Sequence, residues 1–162
     1  MRERPTRRSD PWLDLTRLLR ERPRSVAEVR LRLARRGHDE ETVETTVRSA
    51  IDAGLLDDRA FAKLWVSDRL WHHPLSRAAL EQELREKGIE RSIVAAELEA
   101  QYPAIREVEI ARDLAAARFE RLRGIDPERR RNRVANYLMR RGFRRGLTLD
   151  VIRQIEKESS DE

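Results

Sequence analysis

The chain has 162 residues, of which 40% are charged, 39% hydrophobic and 5% aromatic, with no cysteine and a formal net charge of +5. That length admits one domain or a short array of small units, and the modest apolar content favours many thin helical contacts over one thick core. Lack of cysteine excludes disulfides and thiol catalysis and fits a reducing cytosol, and no apolar run approaches a membrane span. Every basic residue except Lys63, Lys87 and Lys157 is arginine. Either a GC-rich coding sequence or a phosphate- or carboxylate-bearing partner accounts for that bias, since the guanidinium fork suits both anions. The position of the charge has to decide.

Residues 1–10, with Arg2, Arg4, Arg7 and Arg8 around Pro5, show no apolar period and are expected to form a disordered basic tail. Pro11 suits the first position of a helix, after which Trp12, Leu15, Leu18 and Leu19 recur at helical spacing until Pro23. Ser25-Val26-Ala27-Glu28 is a capping box, followed by an inner stripe of Val26, Val29 and Leu33 up to Gly37. A third stripe of Val43, Val47 and Ile51 ends at Gly54.

The order then repeats. A helix through Phe61, Leu64 and Trp65 breaks at Pro74, Ser76 caps the next, and Leu80 and Leu84 precede Gly88. Pro74, Ser76 and Gly88 each lie 51 residues after Pro23, Ser25 and Gly37, so independent punctuation marks agree on an internal repeat. A third copy runs through Val108, Ala111, Ala115 and Phe119, breaks at Gly124, caps at Asp126-Pro127 and places Val134 and Leu138 before Gly142. Here the glycine offset is 54, and the middle helix is about a turn longer. Leu149, Ile152 and Ile155 complete it. Each middle helix carries apolar residues eight and four positions before its glycine, and Ile89 and Phe143 can close Schellman ends against Leu84 and Leu138. No segment alternates with period two, so no sheet is expected.

Between the first two copies, Gly54-Leu55-Leu56-Asp57-Asp58-Arg59-Ala60-Phe61-Ala62 holds a helix stop, a helix start and an apolar pair. Gly54 suits the left-handed position past a helix end, Asp57 the next N-cap and Asp58 the positive end of the helix dipole. Leu56 and Phe61 stand where a hydrophobic staple would stiffen the joint. This stretch resembles the signature of the RecX family. Leu84-Arg85-Glu86-Lys87-Gly88-Ile89 and Tyr137-Leu138-Met139-Arg140-Arg141-Gly142-Phe143 resemble that family's later repeat endings, so the likeness spans roughly residues 12 to 157. The resemblance implies a regulatory protein that lodges in the groove of the RecA–single-stranded DNA filament. It implies bridging of neighbouring subunits and inhibition of recombinase and ATPase activities, and so modulation of recombination, repair and the SOS response.

No Gly-rich phosphate loop, zinc spacing or nucleophile elbow is present, so neither catalysis nor a cofactor is expected. His72-His73 project differently from a helix and precede Pro74, which argues against a metal site. His38 reads as a partly covered histidine at a helix end. Trp12, Trp65 and Trp71 sit in or beside apolar stripes and read as core rather than as base-stacking platforms.

Charge separates the copies. From Arg118 to Leu147 there are eleven arginines against Glu120, Asp126 and Glu128. Arg129, Arg133, Asn136 and Arg140 fall on one face opposite Val134 and Leu138, a stripe that is either a solvated face or a track for phosphates or an acidic groove. Arg130, Arg131, Arg141, Arg144 and Arg145 extend the candidate binding set. From Ser76 to Gln101 four basic residues meet six glutamates, and an acidic centre between basic ends suits a nucleoprotein better than bare DNA.

The expected architecture is all-α, an extended array of three tandem three-helix repeats: residues 11–56, 57–103 and 104–157, with an acidic tail over 158–162. Gly37, Gly54, Asp57, Asp58, Phe61, Gly88 and Gly142 are its structural motif residues. The expected function is binding of the RecA filament and its single-stranded DNA by a cytoplasmic, monomeric protein that makes no membrane contact. The alternative is a sequence-nonspecific DNA-binding helical protein.

Overall fold

The cap and stop residues divide the chain into short amphipathic helices, none of which can cover its own apolar stripe alone. A computed structural model describes residues 9–159, and in these there are nine α-helices and no strand. The first unit comprises α1 (Pro11–Glu21), α2 (Val26–Arg35) and α3 (Glu40–Asp52). The second comprises α4 (Asp58–His72), α5 (Arg77–Glu86) and α6 (Arg91–Gln101), and the third α7 (Ala104–Arg121), α8 (Pro127–Arg140) and α9 (Arg145–Glu158). Helices pack chiefly within their own unit. Three separate cores result, centred on Leu15, Val29 and Leu33, on Leu80, Leu84 and Leu98, and on Val134, Leu138 and Ile152.

The punctuation operates as its chemistry requires. Ser25 Oγ accepts the Glu28 N–H at 3.2 Å while the Glu28 carboxylate accepts the Ser25 N–H at 3.2 Å, closing the capping box. Ser76 Oγ accepts the Ala79 N–H at 3.1 Å, and Asp126 that of Arg129 at 3.0 Å. Asp57 Oδ1 accepts from both Arg59 and Ala60, at 2.8 and 3.2 Å. At the middle-helix ends, Ile89 N donates to Leu84 O at 3.1 Å and Phe143 N to Leu138 O at 3.2 Å, with His38 N to Leu33 O at 3.4 Å in the first copy. The extra turn of the third copy is present, α8 having 14 residues against 10 in α5.

Several expected core positions are turned outward. Ile51 is 45% and Leu64 58% exposed, and Ala50, Ala62 and Val66 take the inner places. Ile51 stands eight residues after Val43, about 80° round the helix, whereas Ala50 at seven stays on the inner face. Val108 lies on the overhanging start of α7 at the joint groove and is 39% exposed. Trp71 is 81% and Trp12 39% exposed, so neither is a core residue; Trp71 stands nine positions after Ala62, diametrically opposite the packed face. Trp65 does fold inward. Its ring stacks on Phe61 at 5.6 Å, and its N–H donates to Glu83 at 2.8 Å.

Leu56 and Phe61 are both buried but belong to the first and second cores respectively, so the joint straddles two cores. His38 is buried, with Nε2 3.0 Å from Asp14 Oδ2. Of the basic tail, residues 1–8 lie outside the described residues; Asp10 caps α1 through the Trp12 N–H, and Ser9 Oγ donates to Asp14. At the other end Glu158 closes α9 and pairs with Arg112 at 2.8 Å, and residues 160–162 lie outside the described residues.

Candidate binding surface

Successive units are joined by one device used twice, and this device sets where each charged face points. In the first joint Ser25 Oγ donates to the Lys87 carbonyl at 2.6 Å and the Val26 N–H donates to Asp58 Oδ1 at 2.9 Å. In the second the Ser76 N–H donates to the Arg141 carbonyl at 2.9 Å and the Arg77 N–H to Glu107 Oε1 at 2.9 Å. Each time the N-terminal turn of one middle helix receives the C-terminal turn of the next, while a carboxylate from the following unit's first helix takes the N–H of its first residue. Those N–H groups have no partner within their own helix, so the carboxylates satisfy otherwise orphaned donors. Asp58 is thus more than a dipole residue. Its half-buried site pushes its carboxyl above the ordinary range through desolvation, with the Val26 bond acting in the opposite direction.

The signal for this tie lies in the register of the first helices. Buried Ala62 and Val66 correspond to Ala111 and Ala115, 49 residues on, and the same offset carries Asp58 to Glu107. The 54-residue offset of the middle helices in the same two units conceals it.

The eight candidate arginines sort into two groups. Arg129, Arg133 and Arg140 are exposed on the outer face of α8, with Asn136 between them and Val134 and Leu138 on the buried side. Arg144 and Arg145, at the start of α9, are exposed as well. Among the described residues none of these five side chains has a hydrogen-bond or ion-pair partner. The other three are engaged within the chain: Arg130 lies 5.2 Å from the Phe119 ring and Arg131 3.9 Å from Glu156. Arg141 donates to the Pro74 carbonyl at 2.7 Å and stacks on Tyr137, whose ring also has Arg118 at 5.2 Å. Repulsion among clustered guanidinium groups is therefore eased at the joint but left standing on the outer stripe.

The acidic middle unit behaves differently. Glu83 accepts from Trp65 and Arg69, both at 2.8 Å, Glu99 pairs with Arg77 at 3.0 Å, and Gln82 donates to Glu86. Its carboxylates are largely drawn into internal bonds. Groups with shifted acidity elsewhere are likewise structural. Burial opposes ionisation of Asp14, but hydrogen bonds from Ser9, His38 and Arg36 hold its carboxyl at about 2. Burial also opposes ionisation of Glu28, where Arg22, Lys87 and the Ser25 N–H bring the carboxyl to about 2. Desolvation, and then Glu107, push the Tyr102 phenol well above its usual value, and its hydroxyl donates to the Leu75 carbonyl at 2.8 Å. Among the described residues no group of His, Cys, Asp and Glu is arranged to hold a metal, and no helix is long and apolar enough to cross a membrane. What the surface can do is bind an extended anionic partner along α8 and the start of α9.

Comparison with known proteins fits the unit count. The family profiles for the first, second and third three-helix domains of RecX match residues 16–48, 57–98 and 106–155. The chain is 37% identical to the regulatory protein RecX of Streptomyces coelicolor over 146 residues, covering 90% of this chain and 77% of that protein. It is 38% identical over 141 residues to that of Amycolatopsis mediterranei, covering 87% and 80%. The crystal structure of RecX from Lactobacillus salivarius superposes with a TM-score of 0.75 at 20% identity, over 90% of this chain and 94% of that one. A crystal structure of a regulatory protein RecX gives 0.69 at 25% identity, over 88% and 72%. With all three domains in order and relatives alike over most of its length, the chain belongs to the RecX family of regulatory proteins.

Proposed function

We propose that this protein binds the RecA–single-stranded DNA filament in the cytoplasm and inhibits its recombinase and ATPase activities, thereby modulating DNA recombination and repair. The observation that carries this reading is the unpaired arginine stripe on α8 in a family of regulatory proteins. Arg129, Arg133 and Arg140 project from a packed helix, so little side-chain ordering beyond their own rotamers is needed to meet a regular anionic track. The mixed charge of the whole array suits a surface made of protein and phosphate, with the acidic second unit kept off the nucleic acid.

Reversing Arg129, Arg133 and Arg140 to glutamate leaves the buried face untouched and should abolish most inhibition of RecA ATP hydrolysis at low salt. If all three meet phosphates, the slope of log affinity against log salt falls by about one for each arginine that no longer neutralises a phosphate. Pairing with RecA carboxylates would weaken binding without that full change. Undiminished inhibition at every salt concentration would move the binding surface elsewhere.

One observation favours the alternative of sequence-nonspecific DNA binding: Trp71, 81% exposed, can stack on an unpaired base. Comparing binding to bare single-stranded DNA and to filaments assembled with a non-hydrolysable nucleotide separates the two, since a filament-binding protein prefers the filament.

A further inference from the structure

The first helix of the first unit is held differently from its counterparts. Asp14, Leu15 and Leu19 of α1 correspond to Phe61, Ala62 and Val66 of α4 at an offset of 47, and to Ile110, Ala111 and Ala115 of α7 at a further 49. His38, after the middle-helix glycine, corresponds to Ile89 and Phe143 at 51 and a further 54. In the later units both positions lie in apolar packing, Phe61 and Ile89 in the second core and Ile110 against the third, which holds Phe143. In the first they are Asp14 and His38, with side chains 1% and 3% exposed and Nε2 3.0 Å from Oδ2. Arg36 and Ser9 complete a quartet by donating to the same carboxylate. Apolar support is correspondingly thin. Among the described residues α4 places Phe61, Ala62 and Val66 in its core, whereas α1 places Leu15 in its own with half-buried Leu19 at the edge, and Leu18 is buried as well. At 11 residues α1 is also shorter than α4 at 15 and α7 at 18.

We propose that α1 is a latch: it opens as one unit while α2 and α3 stay docked on the second unit, and the Asp14 quartet sets how often. An apolar contact resists opening because its surface must be wetted, whereas a buried carboxylate and its guanidinium regain hydration on release. An ion pair at the same place therefore holds the helix with less net free energy. Removing one member is nevertheless costly, since it leaves a buried charge short of a partner. Arg36, with its side chain 39% exposed, is the charged member that solvent reaches. α2 does not follow α1, because the bonds of Ser25, Val26 and Glu28 to Lys87 and Asp58 tie it across the first joint. Once detached, a helix as short as α1 does not persist in water, so its amides are exposed together. Opening gives up the Leu15 packing and the 3.2 Å bond from buried Arg24 to the Leu18 carbonyl, and bares the side of α2 and α3 lined by Val29, Leu33 and Val47. The latch lies in the first unit and is independent of what the α8 stripe binds.

The test is hydrogen exchange of the full chain at neutral pH, resolved to single amides by NMR. In the wild type the amides from Leu15 to Arg20 should share one rate, at least about tenfold faster than those of α2 and α3. Simple fraying would instead give a gradient that falls from Leu15 toward Arg20, and that result overturns the latch. Arg36→Gln should speed exchange in α1 by about tenfold and leave the other helices within about twofold of wild type. Asp14→Phe/His38→Ile installs the residues that the second unit uses and should slow α1 to the rate of α2. Asp14→Leu/His38→Leu serves as a smaller pair in case the first does not fold. Exchange of α1 in step with α2 and α3 in the wild type overturns the proposal, as does Arg36→Gln loosening the whole first unit at once. A folded apolar pair that leaves the α1 rate unchanged overturns it too, by taking the hold on α1 away from the quartet.

Discussion

The two joints share one register but not one donor: the Ser25 hydroxyl reaches the Lys87 carbonyl at the first and the Ser76 N–H the Arg141 carbonyl at the second, and what surrounds them differs as well. At the first, Glu28 accepts from Arg22 and from Lys87 Nζ, each at 2.9 Å, so an ion network crosses from one unit to the next. At the second the crossing guanidinium of Arg141 meets a carbonyl and an aromatic ring, and Ile110 of α7 packs against both the second and the third cores. No described apolar residue is shared in that way between the first two cores. A repeated hydrogen-bond register therefore fixes the geometry, while side-chain chemistry is free to make the first joint, with its ion network, more sensitive to pH and salt than the second.

The largest effect should come from the glycines that the joints enclose. Gly88 has φ +76° and an added Cβ would stand 2.4 Å from Ala27 Cβ, while Gly37 has φ +89° with nothing within 4 Å. Gly88→Ala should cost about 2–5 kcal/mol, combining left-handed strain with a clash across the joint, and Gly37→Ala only about 1–2 kcal/mol. Gly142→Ala, which would meet Ser76 Oγ at 2.6 Å, should fall with Gly88. Urea denaturation of the three variants measures the ranking, and equal losses would mean that the joints are not closed in solution.

Acid should separate the joints next. Asp14 and Glu28 have carboxyls held at about 2, below ordinary values of 3.8 and 4.5, so their contribution is present above those ordinary values and disappears as pH falls toward 2. For buried Asp14 that contribution is on the order of 2 kcal/mol. Both groups belong to the first unit and its joint, so hydrogen exchange between pH 5 and pH 2.5 should loosen α1 and α2 before α8 and α9. Glu28→Gln should flatten the part of this dependence that belongs to the joint.

Ser25→Ala removes a cap and the bond to the Lys87 carbonyl and should cost about 2 kcal/mol, whereas Ser76→Ala removes the cap alone and should cost about 1 kcal/mol, both read from thermal melts. Asp57→Ala should likewise cost about 1 kcal/mol and leave filament binding of the folded protein unchanged. The smallest change belongs to Asp58→Asn, within about 0.5 kcal/mol, because the amide oxygen can still accept the Val26 N–H while the buried charge is removed. A larger loss would show that the charge, rather than the acceptor, holds the joint.

Local chemistry along the chain accounts for the helices and their ends. A serine or aspartate can satisfy nearby N–H groups, a glycine can enter the left-handed region, and apolar residues four apart share a face. Among the described residues, nine helices in three units follow from residues a few positions apart. The arginine stripe on α8 is equally local, because Val134 and Leu138 determine which way Arg129, Arg133 and Arg140 point.

Tertiary structure decided what depends on residues far apart in sequence. It turned Trp71 and Leu64 outward, since the core needed the small Ala62 and Val66 on the inner face of α4. It drew Arg141 and Lys87 into contacts across the joints and left the Arg129 and Arg144 side chains without a partner among the described residues, although all four are basic residues near helix ends. It also made a joint tie of Asp58, whose neighbour Asp57 has an ordinary capping role. The physical reason is distance: a cap sees only its own turn, whereas the Asp58 partner is a backbone N–H 32 residues away, brought near only when one unit docks on the next.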